Sequence, residues 1–484
     1  MVTQKTAKSA TVKKSAPQLE WKRENGWEKL GVAERKTLET YCAGYLGYLS
    51  ASKTEWEAHD EAVVLLKQAG YRDLAALPAK AGALKPGSKI YLSCRGKTLM
   101  AAVVGKKPVA AGLHIVGGHT DAPRLDAKPN PIYEDSGMAL LDTHYYGGIK
   151  KYQWVAMPLA IHGVAIKQDG KRVVFVIGEK ADDPVFVISD LLPHLGKDQA
   201  KLALSEGIKG EGLNIMLGTL PVADKKAQAK VKTAVLRKLW ADYGITEEDL
   251  ISADIEIVPA GPARECGLDR SMILGYGHDD RVCAYAGLKA LMDLKGVPEF
   301  TAMVLLCDKE EIGSVGATGM HSTFFENAVA EMLVRQEADY ADLTRRRCLA
   351  RSRMISADVT AAHDPNYPEV SSPNNMAILN GGLAVAKYTG HGGKSGCSEA
   401  SAEFMAEIRR IFNSGKVLWQ TGELGKVDQG GGGTISLFMA RYGMDVVDAG
   451  VPLLSMHAPW ELATKLDCYM SYKGYREFFA HQHA

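Results

Sequence analysis

The 484-residue sequence has no apolar run near the ~20 residues that cross a bilayer, so a helical membrane protein is excluded. It also lacks net charge. The formal balance is +1, and no global field draws nucleic acid or an anionic membrane. Its eight cysteines are scattered and include no C-x-x-C pair. That pattern argues against a disulfide framework or a zinc ribbon and fits buried, reduced thiols in a cytoplasmic protein. The opening stretch MVTQKTAKSATVKKSAP has no arginine, no acid and no apolar centre, which argues against a signal or transit peptide. Residues 1–19 are expected to form a flexible solvated tail. There is no internal repeat and no low-complexity block beyond that tail.

The composition is that of an ordinary globular protein, with 46% hydrophobic and 24% charged residues. The length exceeds one ordinary core, so two domains are the default. Apolar spacing predicts a helical segment from about Trp21 to Gln68. KIYLSCRG, KTLMAAVVG and AGLHIVGGH read as strands. Residues from about 130 to 260 alternate short β-rich pieces with loops around one clear helix, AKVKTAVLRKLWADYG. From Asp279 onward strand, loop and helix recur, ending in a helix expected over WELATKLDCYMSYKGYREFFA. The alternation predicts an α/β sheet with helices on both faces, interrupted by an inserted β-rich segment.

Five apolar runs end in residues of one chemistry. AGLHIVGG is followed by His119, Thr120 and Asp121, and ILGYGH by Asp279 and Asp280. TAMVLLCDK leads to Glu310 and Glu311, RMISA to Asp358, and VPLLSM to His457. Ligands collect outside the carboxyl ends of strands in open α/β sheets, so one crevice could gather them all. Imidazoles mixed with carboxylates suit zinc, cobalt or manganese better than calcium or magnesium. A dication would offset the repulsion between adjacent Glu310 and Glu311. One glutamate could bind metal while its neighbour takes a proton from a metal-bound water. Each pattern also has a plain structural account: a turn for GGHTDAP, a solvated helix start for EE, a salt bridge for DDR. Recurrence at five strand ends favours the metal.

The motifs HTDAPRLD, DDRVC, DKEEIGS, SADVTAAHDPNYP and SMHAPWE, in that order, resemble the M18 metalloaminopeptidases, which include the aspartyl aminopeptidases and are similar to the M42 and M20 peptidases. The likeness runs from about residue 20 to the C-terminus and includes GEGLNIMLG and QGGGGTIS. It implies two divalent metal ions per subunit, zinc first, with cobalt and manganese as alternatives. His119 and Asp358 would hold one ion, Glu311 and His457 the other, and Asp279 would bridge them. Glu310 would be the general base and Asp121 its partner. The fold implied is a zinc-peptidase-like mixed sheet with helices on both faces. A catalytic domain at 20–128 and 262–484 would be interrupted by a β-rich dimerisation domain at 129–261. The family further implies peptide substrates and a homo-oligomer of dimers assembled into a tetrahedral dodecamer, with no nucleic acid or membrane partner.

The sequence departs from the aspartyl relatives at three places. Trp460 replaces an arginine in MHAPWE, VTAAHDPNY displaces histidines so that His363 is out of register, and YTGHGGKSGCSEAS replaces a shorter polar loop. These are expected pocket positions and leave the preferred N-terminal residue open. GHGGKS fails as a P-loop, because the first glycine would fall on Tyr388. It reads instead as a glycine-rich loop with Ser398 capping the next helix. Lys387 and Lys394 are candidates for contacting substrate carboxylates, and His194 for reaching a neighbouring subunit's site. The activity expected is removal of the N-terminal residue of peptides through a metal-bridging water. The alternatives are a carboxypeptidase or N-acyl amino acid deacylase of the same clan, or a non-catalytic cage-forming scaffold.

Overall fold

The computed structural model describes residues 19–337, 340–396 and 398–482; apart from Leu19, the expected tail lies outside the described residues. The main sheet has nine strands. Four central strands run parallel and side by side: Thr301–Cys307, Leu113–His119, Arg353–Ser356 and Asp445–Gly450. Cys307 lies opposite His119, and Gly117 opposite Ser356, so the first three strands end at one level.

Central parallel strands are covered on both faces and read as continuous apolar runs. TAMVLLC is buried at every position. Its side chains alternate between two cores: Ala302, Val304 and Leu306 join one, and Met303, Leu305 and Cys307 the other. The helices Val32–Ala51, His278–Met292, Ala402–Ser414 and Lys465–Ala480 supply the first core. Phe324–Gln336, Asp342–Ala350 and Ser436–Ala440 supply the second. The protein is thus a mixed α/β structure with helices on both faces of its main sheet.

A separate six-stranded antiparallel sheet runs in the order Arg172–Ile177, Leu159–Ile166, Asp254–Pro259, Arg124–Asp135, Met138–Tyr146, Ile215–Gly218. It has its own core around Trp154, Ile161, Ile215 and Ile257. Its strand Arg124–Asp135 runs across the expected boundary at 128–129. A third, five-stranded sheet contains Met272–Gly275, Glu461–Thr464 and Pro452–Leu454.

Three local expectations are corrected. The segment from Trp21 to Gln68 is not one helical stretch: Val32–Ala51 and Glu55–Gln68 are separated at Thr54. Thr54 and Glu57 form a reciprocal capping box that starts the second helix. ELAT is a strand rather than helix, because it pairs with Met272–Gly275 on one side and Pro452–Leu454 on the other. The helix starts at Lys465, capped by the Thr464 side chain. Ser401, not Ser398, caps the helix Ala402–Ser414, accepting from the Phe404 amide. Among the described residues, no helix is long and apolar enough to cross a membrane.

Candidate metal centre

Asp121 organises the DKEEIGS turn. Its buried carboxylate accepts the Glu310 amide on Oδ1 at 3.1 Å and the Glu311 amide on Oδ2 at 3.2 Å. The turn Glu310–Ile312 is a short 3₁₀ helix flanked by Lys309 and Gly313, both left-handed, with φ of 69° and 91°. The two adjacent side chains therefore diverge. Glu310 Oε2 lies 4.0 Å from His119 Nε2, whereas Glu311 Oε2 lies 3.5 Å from His457 Nε2.

Asp279, at the start of the helix His278–Met292, sits between the two imidazoles. Its Oδ1 is 3.1 Å from His119 Nε2 and its Oδ2 is 3.1 Å from His457 Nε2. Each histidine has a backbone carbonyl at its other nitrogen. His119 Nδ1 is 3.0 Å from the Asp121 carbonyl oxygen, and His457 Nδ1 is 2.9 Å from that of Gly148. With Nδ1–H donating to a carbonyl, each Nε2 keeps its lone pair for a metal. Atoms of His119, Glu310 and Asp358 lie within 4.8 Å of one another, as do those of His119, Asp279 and Glu311. The structure thus brings together all five residues expected as ligands, together with Glu310 and Asp121. His119, Glu310, Glu311 and Asp358 come from the ends of three neighbouring parallel strands. Asp279 and His457 instead follow strands of the five-stranded sheet, so two sheets share the cluster.

The cluster is electrostatically unbalanced. Burial pushes the Glu310 carboxyl up to about 7 and raises Glu311 and Asp358 well above the usual carboxylate range. Burial acts in the same direction on Asp279, but the His119 and His457 imidazoles beside its two oxygens outweigh it and hold that carboxyl low. Burial would lower His457, yet the neighbouring carboxylates of Asp279 and Glu311 bring it up to about 10. Glu311 Oε1 and Asp279 Oδ1 are buried without a hydrogen-bond donor. A carboxylate oxygen 3.1 Å from an imidazole lone pair repels it unless a cation lies between them. Two imidazoles, several carboxylates and orphaned oxygens fit zinc, cobalt or manganese.

A cavity of about 590 Å³ opens from this cluster. Lys394 lines it, paired with Glu399 at 3.0 Å and 3.9 Å from the centre of the Tyr388 ring. Lys387 is exposed and does not line it, and exposed His194 lies in the six-stranded-sheet segment, also off the lining. Of the three departures from the aspartyl relatives, Trp460 and His363 stand off the wall, whereas the loop from Tyr388 to Lys394 forms part of it. Glu461 was not anticipated. Its carboxylate accepts the His457 amide at 2.7 Å and the Asp279 amide at 3.0 Å, tying two expected ligands together. The signal was present in SMHAPWE, but the glutamate there reads as the first turn of a helix. Asp448, Lys426 and Glu423 also line the cavity unforeseen.

The family model described as "Aminopeptidase I zinc metalloprotease (M18)" matches residues 48–479. The chain belongs to the M18 family. By that membership it is a metalloaminopeptidase, a hydrolase. A probable M18 family aminopeptidase 1 of Clostridium acetobutylicum is 49% identical over 454 residues, covering 94% of this chain and 97% of the relative. The crystal structure of an M18 aminopeptidase from Thermotoga maritima superposes with a TM-score of 0.90 at 43% identity, covering 95% of this chain and 99% of that one. A Saccharomyces cerevisiae aminopeptidase solved as a dodecamer shares the fold at 22% identity, with a TM-score of 0.74 over 92% of this chain and 97% of its own.

Proposed function

We propose that the protein removes the N-terminal residue of peptides at a site holding two divalent metal ions. The observation that carries this is Asp279, with one carboxylate oxygen 3.1 Å from each of two histidine nitrogens. His119 and Asp358 would hold one ion and Glu311 and His457 the other, with Asp279 shared between them. Such ions would supply Lewis-acid polarisation of the scissile carbonyl and offset the charge that develops on its oxygen. Glu310 takes a proton from the attacking water and returns it to the departing amine. Asp121 holds the turn that points Glu310 inward. The free α-amino group binds among the carboxylates of the cluster, which selects for chain ends.

Chromogenic aminoacyl amides and N-acetyl amino acids, each assayed with zinc, cobalt and manganese, test the reading. Turnover of the free-amine substrates alone is expected. Turnover confined to N-acyl substrates would move the protein to another activity of the same clan.

The six-stranded sheet fits an inserted domain for self-association. Leu191, Leu192, Leu195, Leu202 and Leu204 are exposed on its segment, and an apolar stretch of this kind marks a contact surface. His194 lies in that stretch and, in such an assembly, would approach a neighbouring subunit. Assembly into a dodecamer, as in the yeast relative, and a cytoplasmic setting complete the proposal.

A further inference from the structure

The end of one strand of the six-stranded sheet reaches the metal cluster at three consecutive residues. The Tyr146 hydroxyl donates to Asp121 Oδ2 at 2.8 Å. A Cβ on Gly147 would lie 3.3 Å from the Glu311 Cβ. The Gly148 carbonyl accepts from His457 Nδ1 at 2.9 Å. Asp121, Glu311 and His457 belong to three different parts of the chain, yet one strand end touches all of them.

We propose that Tyr146 is a positioning residue for the metal centre: its hydroxyl fixes the Asp121 carboxylate that in turn orients the Glu310–Glu311 turn. This rests on the metalloaminopeptidase reading above. Asp121 Oδ2 has two donors, the Glu311 amide and the Tyr146 hydroxyl. Without the hydroxyl, the carboxylate is held only by the two amides of the turn it is meant to orient, and it loses its one fixed support from outside that turn. The tyrosine is itself held from behind. Arg124 lies directly opposite it across the antiparallel pair, with its guanidinium carbon 3.9 Å from the ring centre. Arg124 is buried against Glu55, Asp126 and Glu256 at 3.2, 2.7 and 3.2 Å. A ring so anchored has little freedom, and its hydroxyl arrives at Asp121 already aimed. Groups that orient metal ligands from outside the coordination shell typically carry a 10- to 100-fold share of metal affinity or activity.

The test uses the full chain with Tyr146→Phe, which keeps the ring over Arg124 and removes the hydroxyl alone. Tyr145→Phe, at an exposed neighbour, is the control. Zinc affinity is read by competition with a chromogenic chelator, and kcat and KM with an aminoacyl amide. Zinc affinity and kcat are expected to fall roughly 10- to 100-fold while KM stays within about threefold. Zinc affinity and kcat both within about twofold of wild type would overturn the proposal. So would a change in KM alone, which would place the hydroxyl on the substrate. A second variant, Gly148→Ala, keeps the hydroxyl but sets a methyl 3.3 Å from His457 Nδ1. It is expected to weaken zinc binding as well, and it carries the test if Tyr146→Phe does not fold. Unchanged zinc affinity there would remove the strand end from the site. A wild-type protein that binds zinc but cleaves no aminoacyl amide would defeat the functional reading while leaving the zinc arm valid.

Discussion

At the scale of single residues, the proposed mechanism gives two neighbouring glutamates different work. Glu310→Gln keeps the shape of the turn and removes the proposed base. It is expected to retain zinc by elemental analysis while losing at least ~10²-fold in kcat. Near-full activity in that variant would assign the base elsewhere. Asp279→Ala removes the bridge between the two imidazoles and should empty both metal positions; two ions retained would contradict the bridge. These residues were legible in the sequence because a polar ligand after a long apolar run is conspicuous. Glu461 was not, since an acid after Pro459 and Trp460 looks like an ordinary helix start. Tyr146 was illegible for another reason. Its meaning depends on pairing with Arg124 and on contact with Asp121, and neither contact leaves a local pattern.

At the scale of elements, the long strands and helices were readable from apolar periodicity, and the failures are informative. The strand Glu461–Thr464 has a helix-like sequence but is fixed by two flanking strands, so tertiary pairing overrides local preference. The contact between the helix Glu55–Gln68 and the six-stranded sheet makes a pH prediction. His162 lies between Glu57 at 2.7 Å and Glu179 at 3.1 Å. Burial opposes charging of this imidazole, but hydrogen bonds to Glu179 and Glu57 outweigh it, so its folded pKa is raised. Such a group stabilises the fold fully below its unfolded pKa of about 6.5, and the contribution is lost as pH rises through the folded value. Wild-type Tm should therefore fall relative to His162→Gln as pH rises from about 6 toward 9. A constant difference across that range would discount the ion pairs.

At the scale of the whole molecule, the family fold was legible from the order of five motifs, whereas the division of the site between two sheets was not. Strand order depends on pairings between distant segments, and sequence periodicity carries no record of them. Metal should couple to global stability, because it neutralises carboxylates that folding has buried. Chelation is expected to lower Tm and zinc to restore it; a ligand at 100 times its Kd contributes about 2.7 kcal/mol. An unchanged Tm after verified removal of the ions would argue against a buried dinuclear site. Assembly can be probed at the exposed leucines. Leu192→Glu with Leu195→Glu should reduce the sedimentation coefficient without loss of secondary structure, and an unaltered coefficient would place the contact surface elsewhere.

The division of the cluster between two sheets also bears on biosynthesis. During translation His119 emerges long before His457, and the ribosome must deliver the intervening polypeptide, including the sheet that carries Tyr146, before the cluster can close. Ions captured early would meet only part of their donors and exchange freely. Lasting retention of zinc should then report that the entire polypeptide has been threaded into its final arrangement.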